Sequence, residues 1–239
     1  MTVVPPLPGA RAGRDPLRAI KRGPSRVPPD VVAATQRDRL YDGLVHTVAE
    51  KGYPAATVGD ICRAAGVTRP TFYALFEGKE DAFLATYRHG TGVVWDVMTA
   101  AYHEAGGWRT GVRASLGVLL SILSSVPSFA AMAIVEVESV GAVARYERDV
   151  MLQRFHRFFE DAPHRMDVPE DVVGSVIGGI YATIYRHVVN GKVESLQELL
   201  PTLTYFAVVP FVGHRSAATE LDPACQISPP RVDPCRTGR

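Results

Sequence analysis

Residues 57–83, TVGDICRAAGVTRPTFYALFEGKEDAF, decide the fold. The stretch predicts two short helices joined by a tight glycine turn. Thr57 is a good N-cap, and Asp60 three positions on makes a short-armed capping box. Ile61, Cys62 and Ala65 give the first helix one apolar face. Gly66 readily takes the left-handed conformation that ends a helix, and Val67 can pack back on the helix it leaves. Thr68 caps the second helix. Pro70 falls in its first turn, where a missing backbone N–H costs nothing. Phe72 and Phe76, four apart, form the buried side. The second helix opens with Arg69, Thr71 and Tyr73, a layout that suits insertion into the major groove of DNA.

Gly66-Val67-Thr68-Arg69-Pro70-Thr71-Phe72-Tyr73, followed by Phe76-Glu77-Gly78-Lys79-Glu80, resembles the signature of the TetR family of bacterial transcriptional regulators. Upstream, Arg37, Leu40, Leu44 and Val48 on a first helix, then Gly52-Tyr53 and Thr57, follow the same pattern. The resemblance covers residues 35 to 87. It implies an all-α chain, with an N-terminal helix-turn-helix DNA-binding domain and a C-terminal helical ligand-binding and dimerisation domain. A homodimer on a near-palindromic double-stranded DNA operator is implied, acting as a repressor released by a small, largely apolar effector. The alternatives are an activator or ligand-independent regulator of the same fold, or a helical binding or enzymatic module that no longer binds DNA.

The resemblance also assigns roles. Lys79 and Tyr73 would grip phosphates, while Arg69 and Thr71 read base edges. The arginine fork matches guanine, and the threonine methyl matches thymine. Pro70 lies between them, and Thr57 and Thr68 sit at helix N-termini that favour a phosphate oxygen. Two positions depart from the family pattern. Gly59 leaves no long side chain on the first exposed turn of the first motif helix, so base reading would rest more on the second. Gly43 stands where an alanine is common, a mild helix penalty.

Bulk charge alone does not indicate nucleic acid: Lys+Arg number 26 against Asp+Glu 25 in 239 residues. The distribution is more telling. Residues 1–90 hold 13 Lys/Arg and 9 Asp/Glu, whereas residues 91–239 hold 13 and 16, so the basic excess sits with the motif. Cys62 reads as a small buried hydrophobe, and Cys225 and Cys235 have no zinc-binding spacing. The basic, Pro/Gly-rich start contains no apolar signal region, and a cytoplasmic protein is expected. The uncharged run Ala114–Val135 is long enough to span a bilayer. Pro127 and five serines divide it into two helices, so no membrane association is expected.

The chain then divides into a disordered basic leader (1–29), a helix-turn-helix domain (30–88), a helical effector-binding and dimerisation domain (89–212) and a disordered tail (213–239). The leader carries Arg11, Arg14, Arg18, Lys21, Arg22 and Arg26, and a DNA-tracking arm is the alternative to plain disorder. Helix 1 is expected from Pro29–Asp30, with Asp30 as its cap, to Lys51. Helix 4 opens at Glu80 and Asp81. Gly90 and Gly92 are expected to interrupt it, as a loose turn or a hinge. Further helices are expected at 93–105, 108–126, 128–138, 142–161, 169–190 and 195–212, punctuated by Pro127, Gly141, Pro163, Pro169 and Gly191.

Two helices in the C-terminal half have the composition of a dimer interface. Gly174 and Gly178 leave backbone exposed for close approach, beside Ile177 and Tyr181; the last helix adds Leu199, Leu203 and Phe206. Two such helices per subunit make an isologous four-helix bundle. A ligand chamber is expected among Trp95, Met98, Tyr102, Trp108, Phe129, Met132 and Phe155, with Glu136, Tyr181 and Tyr185 as polar handles. Catalytic residues, metal ligands and cofactors are not expected: the seven histidines are scattered, and there is no nucleophile elbow, phosphate loop or dinucleotide fingerprint.

Overall fold

The computed structural model describes residues 6–14 and 28–221. Every regular element among them is helical. The described chain forms two compact units, one of residues 6–92 and 128–145, the other of residues 93–127 and 146–221.

In the first unit, helix α1 (Pro29–Lys51) is the central strut. Leu40, Leu44, Val45 and Val48 are at most 1% exposed and face α2 (Val58–Ala65). Helix α3 (Arg69–Tyr73) and the start of α4 (Lys79–Glu104) complete the core with Phe72 and Phe83, both fully buried. Each such side chain contributes roughly 1.5–3 kcal/mol by leaving water. Asp30 does not cap α1: Pro28 occupies the cap position and Asp30 lies in the first turn, where the helix dipole still favours its charge. Helix α4 runs unbroken through Gly90 and Gly92, so neither interrupts it.

Residues 6–14, expected to be free of the core, lie on this unit. Leu7 is 8% exposed, and Gly9 donates its N–H to Oδ1 of the buried Asp42 at 2.7 Å. Arg11 lies 3.6 Å from the other oxygen of Asp42 and gives its carbonyl to His46. Arg14 Nε donates to the Arg63 carbonyl at 2.8 Å, and Arg39 Nε to the carbonyls of Gly13 and Ala65. A buried aspartate and the open carbonyls at the end of α2 thus bind a segment that composition alone marked as unstructured. The other residues assigned to the leader, 1–5 and 15–27, lie outside the described residues.

Residues 128–145 also belong to the first unit. They comprise α6 (Pro127–Ala130), a π-helical turn over Ala131–Glu136, α7 (Val137–Val140) and the start of α8 (Ala142–Arg154). Glu136 accepts the Tyr53 backbone N–H at 2.6 Å, just beyond the end of α1. Phe129, 1% exposed, packs its ring on Gly90 of α4.

The second unit is built from the rest of α4, α5 (Trp108–Ser125), the remainder of α8 with its 3₁₀ extension Phe155–Phe159, α9 (Asp171–Val189) and α10 (Leu200–Ala217). Helix α9 faces inward with Val173, Val176, Ile177, Ile180, Ile184 and Val188, and α10 with Leu203, Ala207, Val208 and Phe211. The expected end near residue 212 moves on: α10 kinks at Gly213, and a 3₁₀ turn over Ala218–Leu221 follows. That turn buries Glu220 between Arg109 at 2.7 Å and Arg113 at 2.9 Å on α5. Of the expected tail, residues 222–239 lie outside the described residues. Among the described residues, α9 and the stretch Val193–Leu221 are long and apolar enough to cross a membrane by length and composition.

Candidate nucleic-acid interface

The two motif helices are closed by the local devices their residues dictate. Thr57 Oγ1 accepts the Asp60 N–H at 3.2 Å, while the Asp60 carboxylate takes the Thr57 N–H at 3.3 Å and its hydroxyl at 2.7 Å. Asp60 also pairs with Lys51 at 3.0 Å and Arg63 at 2.9 Å. The Thr57 hydroxyl, then Lys51, hold its carboxyl well below the usual carboxylate range. Gly66 ends α2 in the left-handed conformation, with φ 63°. Thr68 caps α3 by accepting the Thr71 N–H at 3.3 Å, and the two hydroxyls lie 2.9 Å apart.

This frame exposes Thr57, Thr68, Arg69, Pro70 and Tyr73, with Thr71 half-buried. Tyr73 is 58% exposed, its ring edge-on to Phe72. Arg69 makes no hydrogen bond or ion pair among the described residues, although Arg63 is held by Asp60, and Arg14 and Arg39 by backbone carbonyls. A cation left without an internal partner, at the start of a capped and exposed helix, is available to an external anion or base edge.

Lys79 is differently placed. Its ammonium donates to the carbonyls of Tyr53 at 2.8 Å and Ala56 at 2.9 Å, and stands 4.1 Å from the centre of the Tyr53 ring. Burial lowers its pKa. Two of its three N–H groups are spent fixing the turn before α2, which leaves one for a phosphate. Lys79 thus has a structural task that sequence reading missed, since only the fold brings residues 53, 56 and 79 together.

The residues expected to line a ligand chamber divide between the two units. Phe129, Met132 and Glu136 lie in the unit that carries the motif. Glu136 is committed to the Tyr53 N–H and is not a free polar handle. In the other unit, Trp95, Tyr102 and Phe155 gather around Phe158, with ring centres 5.2, 5.1 and 6.2 Å from it. Met98 is buried on the same helix, and Arg154 lies 4.4 Å over the Trp95 ring. Trp108 donates its indole N–H to the Phe158 carbonyl and joins a second aromatic group with Phe159 and Phe211. Those last two rings escaped the sequence reading, because their helices show no chemical motif. Tyr181 and Tyr185 lie beside one another on α9, with ring centres 6.5 Å apart. Thr99 Oγ1 is buried without a hydrogen-bond partner, and the buried Tyr102 hydroxyl lies beside Asp161. Burial, then Asp161 and Glu160, raise the Tyr102 pKa.

Of the expected interface residues, Ile177 and Leu203 are buried within the chain itself, at 6% and 3% exposure. Their periodicity marks the inward stripe of each helix. Gly178 has open space around it, Gly174 is exposed, Tyr181 and Leu199 are half-buried, and Phe206 is 40% exposed. Phe206 also closes on Gly179 of its own α9, where an added Cβ would lie 2.8 Å away.

A capped helix pair with a left-handed glycine turn and an exposed polar start to its second helix is a helix-turn-helix DNA-binding domain. Residues 40–86 match the family of bacterial regulatory proteins described as the tetR family. The match spans the helix-turn-helix and supports a DNA-binding, transcription-regulating module there. No curated protein matches the sequence significantly. The fold is similar to that of the transcriptional regulator FadR from Bacillus subtilis in complex with stearoyl-CoA, with a TM-score of 0.63, 19% identity, and coverage of 73% of this chain and 97% of that one. FadR from Bacillus halodurans, a regulator of fatty acid degradation, gives 0.60 at 19% identity, covering 79% and 97%. A TetR family transcription regulator from Marinobacter aquaeolei VT8 gives 0.57 at 17%, covering 72% and 96%.

Proposed function

We propose that the protein is a homodimeric transcriptional repressor that binds a near-palindromic operator and is released by a largely apolar small molecule. The exposed, internally unpaired Arg69 at the start of α3, beside Thr71 and Tyr73, carries the reading. Arg69 and Thr71 read base edges in the major groove. Tyr73, the remaining N–H of Lys79 and the α2 and α3 N-termini beside Thr57, Thr68 and Pro70 hold phosphates. Dimerisation through the outward faces of α9 and α10, at Gly174, Gly178, Tyr181 and Phe206, with Leu199 just before α10, brings two recognition helices to one duplex in the cytoplasm.

The effector is held in the aromatic group of Trp95, Met98, Tyr102, Phe155 and Phe158. The hydroxyl of Thr99 supplies a donor to one uncharged polar group, because Asp161 and Glu160 beside Tyr102 oppose an anion there. A long apolar group suits such walls, and the similar FadR fold from Bacillus subtilis was solved with stearoyl-CoA. Control reaches the DNA through residues 128–145. The chain leaves the effector-holding unit at Pro127 and returns at Tyr146, and between them Glu136 grips the residue next to α1. A ligand that favours one arrangement of this insert shifts the DNA-binding equilibrium by its differential affinity.

A salt titration tests the reading. Phosphate contacts make log affinity fall linearly with log salt. Operator binding should show this slope together with a strong preference over random duplex, and Arg69→Ala should lose most of the preference. Binding with no preference, or none at all, would refute it.

A further inference from the structure

Gly59 lies on the first turn of α2, where a longer side chain would project beside the recognition helix. A Cβ built on it would stand 2.7 Å from Arg69 Nη2 and 3.6 Å from Cζ. The Arg69 guanidinium, which belongs to α3, therefore lies across the bare first turn of α2 and fills the place that a side chain at position 59 would take. The Arg69 charge also reaches Cys62 on the same helix, where it opposes the burial that raises that thiol's pKa. Nothing else fixes Arg69: it has no hydrogen bond or ion pair among the described residues.

We propose that Gly59 is a specificity-determining position that acts through Arg69. By leaving the first turn of α2 bare, it sets the direction from which the guanidinium presents its fork to a base edge. The contacting atom is the far end of a flexible side chain, so a methyl at position 59 displaces the guanidinium at little cost to the fold. That change also favours the helix, because alanine is the better helix former. Position and stability are thereby separable: Gly59→Ala should move the reading head without loosening the domain. Gly59 is a positioning residue, and Arg69 makes the contact. The inference rests on the DNA-binding reading above.

The test is selection of preferred duplexes from a randomised library, followed by affinity measurements on the parent's preferred site and on single-base variants of it. Four proteins are compared: the parent, Gly59→Ala, Arg69→Ala and the double variant. Gly59→Ala should melt no lower than the parent and keep its salt slope. Its discrimination should fall on the order of tenfold at one base step per half-site, the worth of a good bidentate pair. Arg69→Ala should relax that same step, and the double variant should match Arg69→Ala rather than add to it. A Gly59→Ala protein with the parent's full base preference overturns the proposal, as do losses at a different step or losses that add. If the parent itself selects no sequence, the DNA-binding reading has failed instead, an outcome visible before any variant is made.

Discussion

Gly90 provides a sharp test of the packing, because the structure reverses the sign that sequence alone suggests. An interior helical glycine replaced by alanine normally stabilises, by roughly 0.5–1 kcal/mol. Here the new methyl would lie 2.3 Å from Phe129 Cε2 and 2.8 Å from Cζ. Carbon atoms settle near 3.5–4.0 Å, so the ring must retreat by more than about 1 Å. Phe129 is 1% exposed, so its ring retreats into the core rather than into solvent. Overpacking of this kind costs about 1–3 kcal/mol. Set against the helix gain, Gly90→Ala should lose about 1–2 kcal/mol, read from urea unfolding. Gly92 has nothing within 4 Å, so Gly92→Ala should gain the ordinary increment. Adding Phe129→Leu to Gly90→Ala should relieve the clash, leaving the pair about 1 kcal/mol less unstable than the two single losses combined. The packing argument fails if Gly90→Ala stabilises as much as Gly92→Ala, or if the pair is additive.

Glu136→Ala would leave the Tyr53 N–H without its acceptor and cost about 1–3 kcal/mol in the same unfolding assay, while Glu136→Gln, which keeps an acceptor oxygen, should recover most of it; equal losses would dismiss the contact. The lowered pKa of Asp60 gives stability that is complete above its unfolded pKa, near 4, and is lost as pH falls through the lower folded value. The stability gap between parent and Asp60→Asn should therefore shrink with acid, and a gap independent of pH would remove the ionised capping box from the account. Gly178→Leu should push partner helices apart and give monomers with poor operator affinity in sedimentation and binding assays; a dimer would take this glycine out of the interface.

The helix-turn-helix was legible because its signals are local. Thr57, Asp60, Gly66 and Thr68 each act within four residues of themselves, and the structure shows all four in those roles. What the sequence hid was long-range. Asp42 is an unremarkable acid on α1 until residues 6–14 fold over it, and Lys79 is a surface lysine until Tyr53 and Ala56 turn their carbonyls toward it. Gly43, read as a helix penalty, lies where a Cβ would stand 2.7 Å from the Ala65 nitrogen, so α1 and α2 approach through it. Ile177 and Leu203 show the limit of periodicity, which separates an apolar stripe from a polar one but not an inner stripe from an interface. The aromatic residues divided between two units for the same reason: ring size announces burial and says nothing of the neighbour.

Footprinting of the purified protein on the DNA upstream of its own reading frame tests the central claim most directly. Two protected half-sites should appear, related by a near-palindrome and separated by one helical turn or a multiple of it. Arg69→Ala should abolish the pattern at a concentration where the parent gives full protection. Uniform protection, or a single unpaired site unaffected by Arg69→Ala, would contradict the account.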